Sequence, residues 1–295
     1  MTLPNSILQM STIFISIIIE AIPFVLFGCL VTGFLQSFLN AEKVSRIIPK
    51  NKVLAIISGM TLGFFFPSCE CGIVPVVKEL VRKGVPSYTA IAFMVTAPII
   101  NPVVLFSTYI AFNNLAYPVF LRVIGSLIVG LVVGLWLAYK YKDDILLVEV
   151  DGCDTCGVTK TPTRFAEKVY HALTHSVDEF FDTGRYLVIG ALLASAMQIF
   201  LQTSWLYPLA KNPITAVLAM LLLAFVLSLC SEADAFIGAT MVSLFGLGPV
   251  IAFLVLGSMV DIKNLLMMKR HFKTEFIWKL IVIIVVIVFI YGLII

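Results

Sequence analysis

Apolar residues run through this chain in long blocks, without the one-sided stripe of a water-facing helix. A helix needs about 20 mainly apolar residues to cross the hydrocarbon of a bilayer. Reading for that length gives eight segments, near 8–38, 53–82, 85–112, 115–139, 176–202, 213–244, 247–268 and 274–295. The first is too long for one simple crossing, so its early residues are expected to tilt or to lie in the interface. Met1 to Asn5 carry no Lys or Arg ahead of that block, which argues against a cleaved secretory signal and keeps the first helix in the mature protein.

Composition agrees. Of 295 residues 60% are hydrophobic and 13% charged, with a mean hydropathy of +1.06, and a water-facing surface cannot be built from that mixture. The net charge of +3 does not point to nucleic acid, because basic residues in short membrane loops set topology instead. Eight alternating spans place Lys43, Arg46, Lys50, Lys52, Lys211, Lys269, Arg270, Lys273 and Lys279 near one face. Lys78, Arg82, Lys83, Lys140, Lys142, Lys160, Arg164 and Lys168 then fall near the other. This is almost balanced and leaves the orientation open, with a lean to a cytoplasmic linker, where a dithiol stays reduced.

The one long hydrophilic stretch, 140–175, divides the chain into a first transmembrane repeat at 1–139 and a second at 176–295. A constant offset of 162 positions relates Glu20 to Asp182, Gly28 to Gly190, Gln36 to Gln198, Glu70 to Glu232, Gly84 to Gly246 and Thr96 to Ser258. The expected fold is therefore all-α and polytopic, with about eight transmembrane helices in two four-helix repeats and broken helices at the midplane. Four crossings per half make such repeats parallel, whereas breaks that turn back as re-entrant hairpins make them an inverted pair.

The breaks carry the candidate chemistry. Phe64 to Gly72 includes Pro67, Cys69, Glu70, Cys71 and Gly72, and Ser228 to Asp234 includes Cys230, Glu232 and Asp234. A charge at bilayer depth costs roughly 2.5–3.5 kcal/mol on insertion scales, and irregular backbone persists there only beside protein or a water-filled cavity. Further breaks come at Thr96 to Pro102, with Pro98 and Asn101, and at its offset partner Ser258 to Asn264, with Asp261 and Lys263. Being two apart, Asp261 and Lys263 lie on different helix faces and need not pair. Cys69, Glu70, Cys71, Pro98, Asn101, Cys230, Glu232, Asp234 and Asp261 are the candidate translocation residues. Plainer roles suit Pro23 and Pro118 as kinks, Cys29 as packing, Arg122 as an interface anchor, and Arg185 as a local partner of Asp182.

Thiolates select soft ions such as Zn²⁺, Cu(I) and thiophilic metalloids, and carboxylates select harder ones. In the linker, Cys153 and Cys156 form a C-x-x-C pair able to hold a metal or exchange a disulfide. His171 and His175, four apart on a helix, would complete a Cys₂His₂ zinc set. No cofactor is otherwise called for. Neither a phosphate-loop motif nor a separate soluble domain is present, so energy has to come from a gradient or a partner.

Together, the Pro67 to Gly72, Thr96 to Pro102 and Cys230 to Phe236 motifs resemble the prokaryotic predicted-permease family that includes the ArsP organoarsenical efflux permeases. The likeness extends over nearly the whole chain. It implies an eight-span permease of the plasma (inner) membrane, with no enzymatic activity, exporting trivalent organoarsenicals. It also implies, less directly, links to zinc and to a partner membrane protein. The leading expectation is a secondary transporter of a soft, thiol-seeking substrate. A zinc or other divalent-metal permease is the alternative, and a membrane-embedded dithiol redox or assembly protein is the alternative of another class.

Overall fold

A computed structural model describes residues 5–38, 48–65, 69–141, 144–147, 165–200 and 212–295. Among them the regular structure is helical, apart from one isolated bridge between Leu146 and Phe272. The first half contains α1 (Asn5–Phe38), α2 (Lys52–Leu62) running into a 3₁₀ turn (Gly63–Phe65), α3 (Glu70–Arg82), α4 (Ser87–Ile100), α5 (Pro102–Ala111) and α6 (Ala116–Tyr139). The second contains α7 (Phe165–Phe200), α8 (Pro213–Leu227), α9 (Ser231–Phe245), α10 (Leu247–Gly257), α11 (Ile262–His271) and α12 (Thr274–Ile294).

Contacts between named residues fix the direction of each helix. α6 finishes at what is here termed the linker end. Lys52, the first residue of α2, donates to the carbonyl of Ala138 at 2.9 Å and lies over the Tyr139 ring. Further along, Ile56 meets Gly134 and Met60 meets Gly130, so α2 runs inward from the linker end. α3 runs back out beside α1: Gly72 meets Gly28, and Lys83 donates to the carbonyl of Gln36 at 2.7 Å. The two helices form a hairpin with both outer ends at one end of the molecule.

The second half does the same from the other side. α12 lies antiparallel to α6, with Tyr291 donating to the Leu121 carbonyl at 2.7 Å at the distal end and Tyr141 against Phe276 at the linker end. Gly292, near the distal end, meets Val217 of α8 and Ala252 of α10, while Ala224 meets Gly257 deeper inside. α8 and α10 therefore both run inward from the distal end. Gly238 of α9 packs against Val250 and Leu254, so α9 returns to the distal end.

These directions correct the expectation of eight through-running spans. Segments 53–82 and 213–244 match one span in length, yet each reverses at its break. In the second, Ser228 adopts a left-handed conformation, φ 47° and ψ 44°, that stops α8 and turns the chain. Hairpin legs of 11, 13, 15 and 15 residues reach about 16 to 23 Å at 1.5 Å per residue, short of a hydrocarbon core of about 30 Å. The other two breaks are different, because α4 continues into α5 and α10 into α11.

Five helical stretches are long and apolar enough to cross a membrane: Ile7–Gln36, Ser87–Ala111, Ala116–Tyr139, Leu247–His271 and Thr274–Ile294. α7 runs antiparallel to α1, with Gly33 on Ala172 and Ser176 and Ile17 on Ala191 and Ala194. Ile19, Phe120, Phe181, Trp278 and Val282 point outward, an apolar exterior that suits lipid and not water. This is a multi-pass membrane protein.

Local sequence accounts for several details. Pro23 lies inside α1 as expected, whereas Pro118 sits in the first turn of α6, where a missing N–H breaks no helical bond. Past α6 the chain forms a strap: Leu147 donates to the carbonyl of His271 at 2.9 Å, and Lys273 to that of Ile145 at 3.0 Å.

Gly28 is required by the hairpin, because a Cβ there would run into the carbonyl oxygen of Gly72. Gly28→Ala is expected to destabilise the protein by about 1–3 kcal/mol through overpacking, read as a lower thermal midpoint in detergent. Gly184, with nothing within 4 Å of its would-be Cβ, is the control: Gly184→Ala is expected to leave the midpoint unchanged or raise it.

Candidate functional site

The tips of the two hairpins meet inside the protein. Cys69 caps the start of α3 in extended conformation, putting Glu70 and Cys71 in its first turn, and Cys230 does the same for α9 and its Ser231, Glu232 and Asp234. Helix starts of this kind carry free N–H groups and a positive dipole end, which suit carboxylates. Across the tips, Ser231 Oγ donates to Glu70 Oε2 at 3.3 Å. The thiol of Cys69 lies in hydrogen-bonding contact with those of Cys71 and Cys230. All three thiols are free and buried. Thus the three cysteines singled out in the sequence, from two distant segments, do come together.

The through-running broken helices close the site. Asn101 is buried at the α4–α5 break, and its Oδ1 accepts from the Val103 N–H at 3.0 Å. Pro102 occupies the first position of α5, where its ring is preorganised for the helix. Pro98, buried within α4, removes a ladder donor one turn earlier. At the α10–α11 break Asp261 caps α11, its Oδ1 accepting from the Asn264 N–H at 2.5 Å. Ser228 Oγ accepts from the Ile262 N–H at 3.1 Å, tying the second hairpin to this break.

Asp261 and Lys263 do pair, at 3.6 Å and almost fully buried. Helical spacing argued against this, but Asp261 stands outside the helix as its cap, with φ −137° and ψ 174°, so the rule about helix faces does not reach it. Removing one partner of such a buried pair costs about 3–5 kcal/mol. Gly190 lets α7 approach the backbone of Lys263, and Gly257 leaves room for the Asp234 carboxylate.

Arg122 is the residue the sequence reading misplaced. It is no interface anchor: fully buried, it donates to Thr108 Oγ1 at 2.7 Å, to the Ser231 carbonyl at 3.0 Å and to Ser258 Oγ at 2.8 Å. All three acceptors are neutral oxygens, and Asp234, Glu70 and Glu232 act on its charge through space. An unbroken apolar run after Pro118 hides such a residue. Its distance from the start of the block, four positions past Pro118, was the available signal.

Among the described residues, Glu70 Oε1, Asp234 Oδ2, Asp261 Oδ2 and Arg122 Nε are buried without a hydrogen-bond partner. Buried polar atoms of that kind are uncommon, and these four share one region. The two glutamates at matching positions differ: Glu70 is enclosed, whereas Glu232 is half-buried.

Of the linker set, Cys153 and Cys156 lie outside the described residues. His171 and His175 stand side by side, ring centroids 4.4 Å apart, so two imidazoles are available for one metal. Burial and the neighbouring His171 hold the His175 imidazole below its ordinary range. Among the described residues no group of three or more His, Cys, Asp or Glu side chains is arranged to hold a metal ion. The thiols at the hairpin tips touch one another, but not in that arrangement. At the linker end Asp182 bonds Arg185 at 2.6 Å, as expected, and also Arg270 at 2.8 Å.

If Arg122 ties the second tip in place, Arg122→Met leaves the Ser231 carbonyl without its donor, at a cost of about 1–3 kcal/mol. The expected result is a lower thermal midpoint in detergent, with Arg122→Lys recovering only part of it, because one ammonium cannot span three acceptors held by a planar fork.

A family model described as a predicted permease matches residues 6–295. The chain is 50% identical over 292 residues to a putative two-component membrane permease complex subunit of Streptococcus mutans serotype c, covering 99% of this chain and 96% of that one. It is also 50% identical over 288 residues to the UPF0718 protein YcgR of Bacillus subtilis (strain 168), covering 98% and 97%. No solved structure matches.

Proposed function

The chain belongs to the predicted-permease family, and from that premise we propose that it is a secondary transporter whose substrate passes between the tips of the two hairpins. The observation that carries this reading is the meeting of the tips: three thiols in contact, the Ser231 to Glu70 bond, and buried carboxylate oxygens with no partner, all where irregular backbone is enclosed by helices. Polar groups at that depth are costly unless they serve a pathway.

In this reading Cys69, Cys71 and Cys230 meet a soft, thiol-seeking substrate such as a trivalent organoarsenical, and thiol chemistry selects it. Glu70, Asp234 and Asp261 hold a proton or a cation, Glu232 stands at the approach, and Pro98 and Asn101 open backbone to the cavity. The plasma membrane of a prokaryote is its place. The unpartnered oxygens of Glu70, Asp234 and Asp261 favour a second substrate class, zinc or another divalent ion. A second membrane protein as partner is supported by the Streptococcus relative, which is named as a subunit of a two-component permease complex.

The halves 1–139 and 176–295 are read as an internal repeat of inverted form, with residues 140–175 as the joining segment. The constant sequence offset and the opposite entry of the two hairpins support this, and eight hydrophobic segments then amount to fewer full crossings. Inverted repeats whose broken helices meet at depth are a frequent way to build a substrate site.

Vesicles reconstituted with the purified protein, offered a trivalent phenylarsenical and Zn²⁺ separately, test the reading. Uptake of at least one above empty vesicles is expected, with Glu70→Gln reducing it strongly and Glu232→Gln less, in line with their burial. Full uptake by the Glu70→Gln, Glu232→Gln double variant would exclude these carboxylates from the path.

For the linker we propose a metal site made by Cys153, Cys156, His171 and His175. Purified protein is expected to bind about one Zn²⁺ there, with affinity falling as pH drops because protons compete for thiolate and imidazole. Equilibrium dialysis of the Cys153→Ser, Cys156→Ser variant is expected to show that Zn²⁺ lost. Unchanged binding would move the site elsewhere.

A further inference from the structure

The helix directions sort the basic residues by side. α1, α3, α6 and α11 finish at the linker end, and α2, α4, α7 and α12 begin there. Every Lys and Arg of the chain except Arg122, Lys211 and Lys263 belongs to those ends, to the turns beside them, or to the segments that join them. At the distal end, the α5–α6 turn, the α9–α10 turn at Gly246 and the residues before α1 and after α12 carry none. Lys211, between α7 and α8, stands alone there. Eight alternating crossings scatter these same charges evenly, whereas two hairpins entering from opposite sides gather them.

Positive charge near the ends of membrane helices marks the cytoplasmic side. We propose that the linker end is cytoplasmic and that the chain crosses the bilayer six times, through α1, α4–α5, α6, α7, α10–α11 and α12. Asn5 and Ile295 then lie on the outer side. The α2–α3 hairpin enters from the cytoplasm, the α8–α9 hairpin enters from outside, and their tips meet inside the membrane. Their contact, Cys69 with Cys230 and Glu70 with Ser231, is the point that separates the two sides. That last step rests on the transport reading above, and the topology does not.

The hairpins make a prediction that eight crossings cannot share. Lys50 and Arg82, at the outer ends of α2 and α3, face the same side with hairpins and opposite sides with eight crossings, and so do Asn212 and Ser243 on the second hairpin. All four are exposed. Lys50→Cys, Arg82→Cys, Lys140→Cys, Asn212→Cys and Ser243→Cys are made singly in the full chain carrying Cys153→Ser and Cys156→Ser, whose own labelling sets the baseline of the buried thiols. With a membrane-impermeant maleimide, the Asn212→Cys and Ser243→Cys proteins are expected to label in intact cells. The Lys50→Cys, Arg82→Cys and Lys140→Cys proteins are expected to label only on permeabilisation. A split within either hairpin pair overturns the hairpins. Agreement within pairs but with the sides exchanged overturns the orientation. Neither outcome depends on any substrate being transported.

Discussion

The fold depends on the satisfaction of broken backbone at a depth where water is not the solvent, and the guanidinium of Arg122 is the group that does most of this. It holds the first carbonyl of α9, the hydroxyl that ends α10 and a hydroxyl of α5. Four segments from both halves therefore share one donor. A planar fork with several N–H groups suits that task, and a weakly hydrated cation loses less on burial than an ammonium. The nearby carboxylates Asp234, Glu70 and Glu232 offset its charge without contacting it, which leaves their oxygens open to other partners.

The two hairpins are alike in plan and unlike in detail. Cys69 and Cys230 both cap their helices, but the enclosed Glu70 reaches across to Ser231, while Glu232 remains half-buried. The second tip is tied more firmly, through Arg122 and through Ser228 to Ile262. Gly28, Gly190 and Gly257 let backbone or carboxylate approach where a side chain would hold the segments apart.

Much of this was legible in the sequence. Apolar block length gave the membrane class, and acidic residues beside Pro, Gly and Cys marked all four breaks. What failed was the direction of the chain at the first and second hairpin. A hydropathy window reports how many apolar residues follow one another, and two half-depth legs add up to one span in that measure. The near-even charge tally came from the same error, since each misread hairpin exchanged the sides of what followed until the next. Asp261 and Lys263 were judged by helix spacing although one of them is a cap, and Arg122 was lost in an apolar run because its partners lie far along the chain. Cys153 and Cys156 lie outside the described residues.

The strap at residues 145–147 gives α11 a mechanical character. Its two backbone bonds clamp the first residues of the linker to the turn after His271, and a ten-residue helix is a rod of about 15 Å. Lys263 and Asp261 stand at the inner end of that rod, beside the hairpin tips. A pull on the linker is transmitted along α11 as a displacement of a buried ion pair, so the most water-exposed part of the chain and its most enclosed charges are joined by a single stiff lever.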